Sequence, residues 1–407
     1  MQQFTGCATL LFTNMKQTKA KKEKTGKKIS GKLHLWLGLA SSLVVFIVSI
    51  TGCLFVFEKE IRDFTQKEIR FVTPVTGASF VALDKVEQHI KAAYPAATIK
   101  QLRLYSEPNR AWQVHFDKDE AVAINPYTGS IIKKYSRHDW LHTVEKLHTS
   151  LLLGETGKWI IRINVLIFLV LLISGIILWW PGNKARRKQS FKVKWDASAK
   201  RVNYDFHNVF GFYSSVILLL IVLTGMYMSF DWMKQATYAV TGSAYVKPKP
   251  PKIDADDLND AILQPAVAYA IAAKHYPGAT EVHINYPQKP GDVLKIKMHY
   301  PSSTYKKTNE LHFNPNTGNI MQANLYANYS AGDKVKHSNR DLHTGAFFGL
   351  FGKILAFLAS LVAASMPVTG FAIWWGRNKK KKPAVKKTAS AKATGLLQPA
   401  AISAASA

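Results

Sequence analysis

Four long apolar runs decide what this chain can fold into: Leu33–Phe57, Trp159–Trp180, Val209–Phe230 and Leu350–Trp375. Each is long enough to cross a bilayer core as a helix, which takes about 20 residues. Charge inside the runs is confined to Arg162, near the start of the second, and Lys353, near the start of the fourth. The pattern predicts four transmembrane helices separated by two large polar segments. The divisions are 1–32, a basic segment; 33–57, a span; 58–145, a polar module; 146–180, an edge segment and span; and 181–206, a basic loop. They continue with 207–230, a span; 231–336, a second polar module; 337–375, an edge segment and span; and 376–407, a Lys/Ala-rich tail.

The formal charge of +28 is concentrated at three places. Residues 15–32, 181–206 and the tail from 376 hold eight Lys or Arg each, against three acidic residues in all. All three flank the spans on one side, so the positive-inside rule places them and both termini in the cytoplasm, with the two modules outside. These stretches attract anionic lipid headgroups. No nucleic-acid recognition module accompanies them, so nucleic acid is set aside as a partner. Only Cys7 and Cys53 occur, and the outer segments have neither, which excludes a disulfide framework there. Met15 opens a Lys-rich flank and is a candidate true start. Ile50-Thr51-Gly52-Cys53 resembles a lipoprotein cleavage site, but Thr224-Gly225-Met226 falls at the matching place of the third span, so the first run is read as retained.

That match is one of many. At an offset of 173, His34, Gly38, Ser41-Ser42 and Thr51-Gly52 become His207, Gly211, Ser214-Ser215 and Thr224-Gly225. At an offset of 195, Leu147-His148-Thr149, Gly154, Gly157, Lys158, Gly175 and Trp179-Trp180 become Leu342-His343-Thr344, Gly349, Gly352, Lys353, Gly370 and Trp374-Trp375, and His142 becomes His337. The polar segments share a plan: a helix near Leu83–Tyr94 or Leu258–His275, alternating strands such as Trp112–Phe116 and Leu294–Met298, and an Asn-Pro-x-Thr-Gly turn at 125–129 or 314–318. The expected fold is an α-helical membrane protein with four transmembrane helices and two exported α+β modules, built as a parallel internal repeat.

This combination resembles the PepSY-associated transmembrane family, which includes iron-regulated membrane proteins and siderophore-iron reductases. The resemblance covers roughly residues 30–380 and rests on the His-x3-Gly and Leu-His-Thr openings, the Asn-Pro-x-Thr-Gly turns and the Trp-Trp endings. It implies a bacterial inner-membrane protein with PepSY modules outside, and in some members b-type haem that reduces ferric substrates. Larger relatives add a flavin reductase domain. Here the chain ends in its Lys/Ala-rich tail, so the electron donor stays open.

Histidine carries the candidate chemistry. Six of the thirteen histidines form repeat-matched pairs: His34/His207, His148/His343 and His142/His337. A haem between two helices needs two imidazoles at one depth, which a parallel repeat supplies. His34/His207 are expected to ligate one haem iron at the inner edge, with Gly38 and Gly211 four residues on. Gly52, 18 residues on from His34, is assigned to the same helix face. At the outer edge His148/His343 are the expected ligands of a second haem, and His142/His337 compete with them. Lys158 and Lys353 either neutralise propionates or snorkel to headgroups, and Arg162 calls for a carboxylate or propionate partner. The Trp pairs are read as interfacial anchors. His115 and His299 are read as surface or sheet residues, and no tight ligand spacing marks a separate metal site.

The reading that follows is a haem b electron-transfer protein of the inner membrane, passing electrons outward to a ferric siderophore or other ferric complex held between the modules. The rival is a non-catalytic membrane anchor whose PepSY modules bind or inhibit exported proteases. A transporter is the third reading, for which Met366-Pro367 offers the one sign of a broken helix.

Overall fold

The computed structural model describes residues 4–181, 189–247, 249, 251–253, 263–303 and 305–378, with side chains from residue 25 onward except that of residue 118. Met15 falls within the first helix, before the residues whose side chains are described, while most of the basic tail and the first residues of the helix expected near Leu258 lie outside what is described. So do residues 182–188 of the 181–206 loop.

Four helices are long and apolar enough to cross a membrane, and the protein is a multi-pass membrane protein. They are α1 (Phe4–Val56), α6 (Gly154–Trp179), α7 (Ala199–Ser229) and α11 (Gly349–Asn378). Helices α1, α6 and α7 begin several residues or more before their apolar runs, and α11 begins one residue before its own, at Gly349. Pro367 sits inside α11 without ending it. Around the bundle, α1 packs on α6 and α11, and α7 packs on the same two. Helices α1 and α7 therefore face each other across the bundle axis.

Between α1 and α6 the chain forms α2 (Glu58–Thr65), α3 (Lys67–Arg70), α4 (Leu83–Ala93), four strands, and α5 (Trp140–Ser150). The strands are β1 (Ile99–Tyr105), β2 (Trp112–Phe116), β3 (Glu120–Ile124) and β4 (Ile131–Ser136). Between α7 and α11 it forms α8 (Asp231–Val240), α9 (Pro265–His275), four more strands, and α10 (Ala331–Thr344). These are β5 (Glu281–Asn285), β6 (Leu294–Tyr300), β7 (Lys307–Phe313) and β8 (Ile320–Asn324).

The two polar segments, expected as two modules, build one antiparallel sheet in the order β4-β3-β2-β1-β5-β6-β7-β8. The join is β1 against β5, with Leu102 opposite Ile284 and Leu104 opposite Val282. Alternation puts those residues on one face with Val114, Val122, Ile296 and Leu311, where Val86 and Ile90 of α4 and Ala268 and Ala272 of α9 close the core. The other face carries His115, His283, His299 and His312. Both Asn-Pro-x-Thr-Gly turns form as expected: Asn125 Oδ1 accepts from Tyr127 N at 2.9 Å and Asn314 Oδ1 from Asn316 N at 2.8 Å. Gly129 and Gly318 close them at φ +70° and +76°.

Helices α5 and α10 enter the bundle with defined starts. Asp139 caps α5 by accepting from His142 N at 2.8 Å and is itself gripped by Arg62 and Gln66. Ser330 and Asp333 form a capping box on α10.

Candidate metal-ligating site

By chain order, the first turns of α1 and α7 and the last turns of α6 and α11 lie on the side of the 181–198 loop. The opposite ends, with α5 and α10, lie on the side of the sheet. The structure brings histidines together in two pairs, one per side. On the loop side the rings of His34 and His207 are 6.4 Å apart, centre to centre. On the sheet side His148 and His343 are 6.3 Å apart. Two imidazoles on opposite faces of one first-row metal ion have centres about 6 to 6.5 Å apart. Each metal–nitrogen bond is about 2 Å, and a ring nitrogen lies about 1.2 Å from its ring centre.

Each imidazole is held by a Ser/Thr-Gly dipeptide on the neighbouring span of its own half. His34 Nδ1 meets Ser174 Oγ at 2.9 Å, and His207 Nδ1 meets Thr369 Oγ1 at 2.8 Å. His148 Nδ1 meets Thr51 Oγ1 at 3.1 Å, and His343 Nδ1 meets Thr224 Oγ1 at 2.9 Å. The glycine after each hydroxyl residue seats the ring edge. A Cβ at Gly175, Gly370, Gly52 or Gly225 would stand 3.3–3.5 Å from Cε1 of His34, His207, His148 or His343.

The hydroxyls' own hydrogen bonds favour one tautomer. Ser174 donates its proton to Leu171 O at 3.2 Å and Thr369 to Ser365 O at 3.0 Å. Thr51 donates to Ile47 O at 2.7 Å and Thr224 to Leu220 O at 2.8 Å. A hydroxyl that has spent its proton on its own helix can only accept, so Nδ1 is the protonated nitrogen. On the sheet side backbone carbonyls add to this: Val48 O accepts from His148 Nδ1 at 2.9 Å and Ile221 O from His343 Nδ1 at 3.0 Å. All four rings are thus left with a bare Nε2 lone pair, the form in which histidine binds a metal.

The loop-side pair borders a cavity of about 380 Å³ lined by Gly38, Gly211, Phe168, Leu172, Trp374 and Arg377 among others. Gly38 and Gly211 hence line the space beside the imidazoles, while their own nearest neighbours are Leu171 and Met366. Gly52 does not serve His34. Eighteen residues along a helix is about 27 Å, so it shares the face but sits at the other end of the span, against His148.

The remaining predicted residues have other partners. His142 stacks on His138 at 4.5 Å, and His337 stacks on Tyr329 at 4.3 Å. Lys158 pairs with Glu155 at 2.6 Å, three residues back on its own helix, whereas Lys353 reaches across to Glu60 at 2.7 Å. Arg162 lies over the ring of Trp159, 4.9 Å from its centre, where a carboxylate or propionate was expected. Trp179 is packing rather than an anchor: it is 8% exposed and stacks on Phe212 at 3.5 Å, while Trp180 is 60% exposed. His115 belongs to the sheet as expected and is buried there.

Sequence reasoning missed Ser174 and Thr369. The signal was present, since every span carries a Ser/Thr-Gly pair near the C-terminal end of its helix: 51–52, 174–175, 224–225 and 369–370. Comparison with the curated proteins finds no match. The family model described as the PepSY-associated TM region matches residues 32–377, the bundle and the sheet together, and the chain belongs to that family.

Proposed function

We propose that this protein is a haem b electron carrier that spans a bacterial inner membrane and delivers electrons to a ferric complex, such as a ferric siderophore, on its sheet side. Four imidazoles in two facing pairs, each with Nδ1 tied and Nε2 bare, are the observation that carries this reading. His34 and His207 would hold one haem and His148 and His343 a second. When bound, haem supplies one-electron chemistry at iron. The protein's own groups do not move protons in this scheme. Ser174, Thr369, Thr51 and Thr224 orient the rings and raise the basicity of Nε2 by accepting from Nδ1–H. The glycines let each ring lie against a helix backbone, and the apolar walls of the spans exclude water.

The basic flanks support an orientation with the loop side in the cytoplasm. Electrons would enter there near His34 and His207 and leave near His148 and His343, beneath the sheet.

The test is a spectrum of the full-length protein purified from membranes with haem supplied, together with haem quantified against protein. Soret and α bands are expected, and His207→Ala with His343→Ala should remove them. Protein with no haem absorbance, or a double variant that keeps it, refutes the reading. The protease-binding alternative predicts instead that the histidines can be replaced without consequence.

A further inference from the structure

The two halves do not grip their histidines equally. In the second half, Asn203 Nδ2 donates to Thr369 O at 3.1 Å, and His207, one turn on, bonds the hydroxyl of that same threonine. On the sheet side Asn339 Nδ2 donates to Thr224 O at 3.2 Å, and His343, again four residues on, bonds the hydroxyl of Thr224. Each time an Asn-x3-His face holds one threonine at two points, its carbonyl and its hydroxyl. Residues four apart share a helix face, so the two bonds act together against rotation of one helix on the other.

Among the described residues the first half shows no such second bond. Ser30 stands four residues before His34, and its buried hydroxyl has no hydrogen-bond partner among the described residues. Val144 stands four residues before His148 and has no polar group to offer. An amide placed at the edge of a bilayer must find a partner to be tolerated, and Asn339, 4% exposed, finds the carbonyl of Thr224.

Resting on the haem reading above, we propose that Asn203 and Asn339 are positioning residues that lock His207 and His343. They are the firm ligand of each pair, and His34 and His148 are the ones that yield. Each iron would then have one face from which a histidine can be displaced, always on the first half.

Carbon monoxide added to the reduced, haem-loaded full-length protein tests this, because it binds only where a ligand has left. Asn203→Val and Asn339→Val loosen the firm ligand, so each should raise the carbon-monoxide-bound fraction at its own site. About fivefold is expected, the factor for one hydrogen bond of ordinary net strength. Val144→Asn supplies the missing amide and should lower binding at the sheet side by a similar factor. His34→Ala and His148→Ala should retain haem on the remaining ligand, whereas His207→Ala and His343→Ala should lose it. Unchanged carbon monoxide binding in the Asn variants, with haem content intact, overturns the proposal. If those variants do not fold, Val144→Asn decides, and unchanged or increased binding there overturns it. A wild-type protein that takes up no haem defeats the underlying functional reading instead.

Discussion

The loop-side and sheet-side histidine pairs have nearly the same ring separation but are locked in different ways. On the loop side His34 and His207 each lean on a hydroxyl, which stays an acceptor only while it keeps its bond to its own helix. On the sheet side Val48 O and Ile221 O take the Nδ1 protons as well, and a carbonyl can never donate. The sheet-side tautomer is fixed outright, and the loop-side tautomer depends on a rotatable proton. The lesson is that two sites of equal geometry can differ in how firmly the protein dictates the chemical form of the ligand.

The largest effects should come from removing a firm ligand. His207→Ala should empty only the loop side and His343→Ala only the sheet side, each lowering haem from about two to about one per chain. A matching loss in either variant of the spectral component assigned to the other side would break the independence of the pairs.

Acid should separate them next. Burial pushes His299 and His337 down to about 4 and His115 to about 2. The unfolded chain then binds protons that the folded sheet and α10 refuse, and the stability of the sheet side falls as pH drops from about 6.5 towards 4. Burial also works against ionising Glu281 and Glu310, but hydrogen bonds from His283 and His312 outweigh it and draw both to about 2. Their contribution is present above about 4.5 and drains away as pH falls towards 2. Thermal unfolding between pH 8 and 4 should show the sheet-side absorbance failing before the loop-side absorbance. Simultaneous loss would mean that the sheet does not support the pair beneath it.

Gly370→Leu and Gly225→Leu should each push a ring out of its seat, since even a Cβ there stands at 3.4–3.5 Å from Cε1. Loss of one haem per chain, read by its absorbance, is expected in both. Thr369→Val and Thr224→Val sharpen the comparison further. The first strips His207 of its hydroxyl acceptor, while the second leaves His343 with Ile221 O. A redox titration should show a midpoint shift of tens of millivolts at the loop side. One hydrogen bond nets about 1 kcal/mol, and a tenfold change in a one-electron couple is about 59 mV. A smaller shift is expected at the sheet side. The smallest effect belongs to Glu60→Gln, which breaks the exposed pair with Lys353 and should cost under about 1 kcal/mol in thermal unfolding.

Much of this arrangement was legible in the sequence for one reason: matching residues recur at constant offsets. The offsets matched His34 with His207 and His148 with His343, though they matched His142 with His337 as well, and the turns at Gly129 and Gly318 followed from the chemistry of Asn-Pro-x-Thr-Gly. The hydroxyls did not follow. Ser174 and Thr369 differ in identity, and a Ser or Thr within an apolar helix ordinarily bonds its own carbonyl, so neither looked outward. The contact of Arg162 with Trp159 was not foreseen because a cation can be satisfied by an aromatic face as well as by an anion. Trp179 was misplaced because a tryptophan near a span end packs inward or outward according to its neighbours, here Phe212. The continuous sheet was hidden because pairing β1 with β5 joins residues about 180 positions apart, and no local pattern encodes that choice.

That join reaches beyond the sheet. Strands β1 and β5 exchange backbone hydrogen bonds at the centre of an eight-stranded layer, and each ends one half's run of strands. A chain cut into its two halves would leave each with a naked strand edge, the surface through which β-proteins adhere to one another. The complement best shaped to that edge is the missing half. The seam is therefore a latch: it ties the two halves of the chain together on the sheet side, where α5 carries His148 and α10 carries His343.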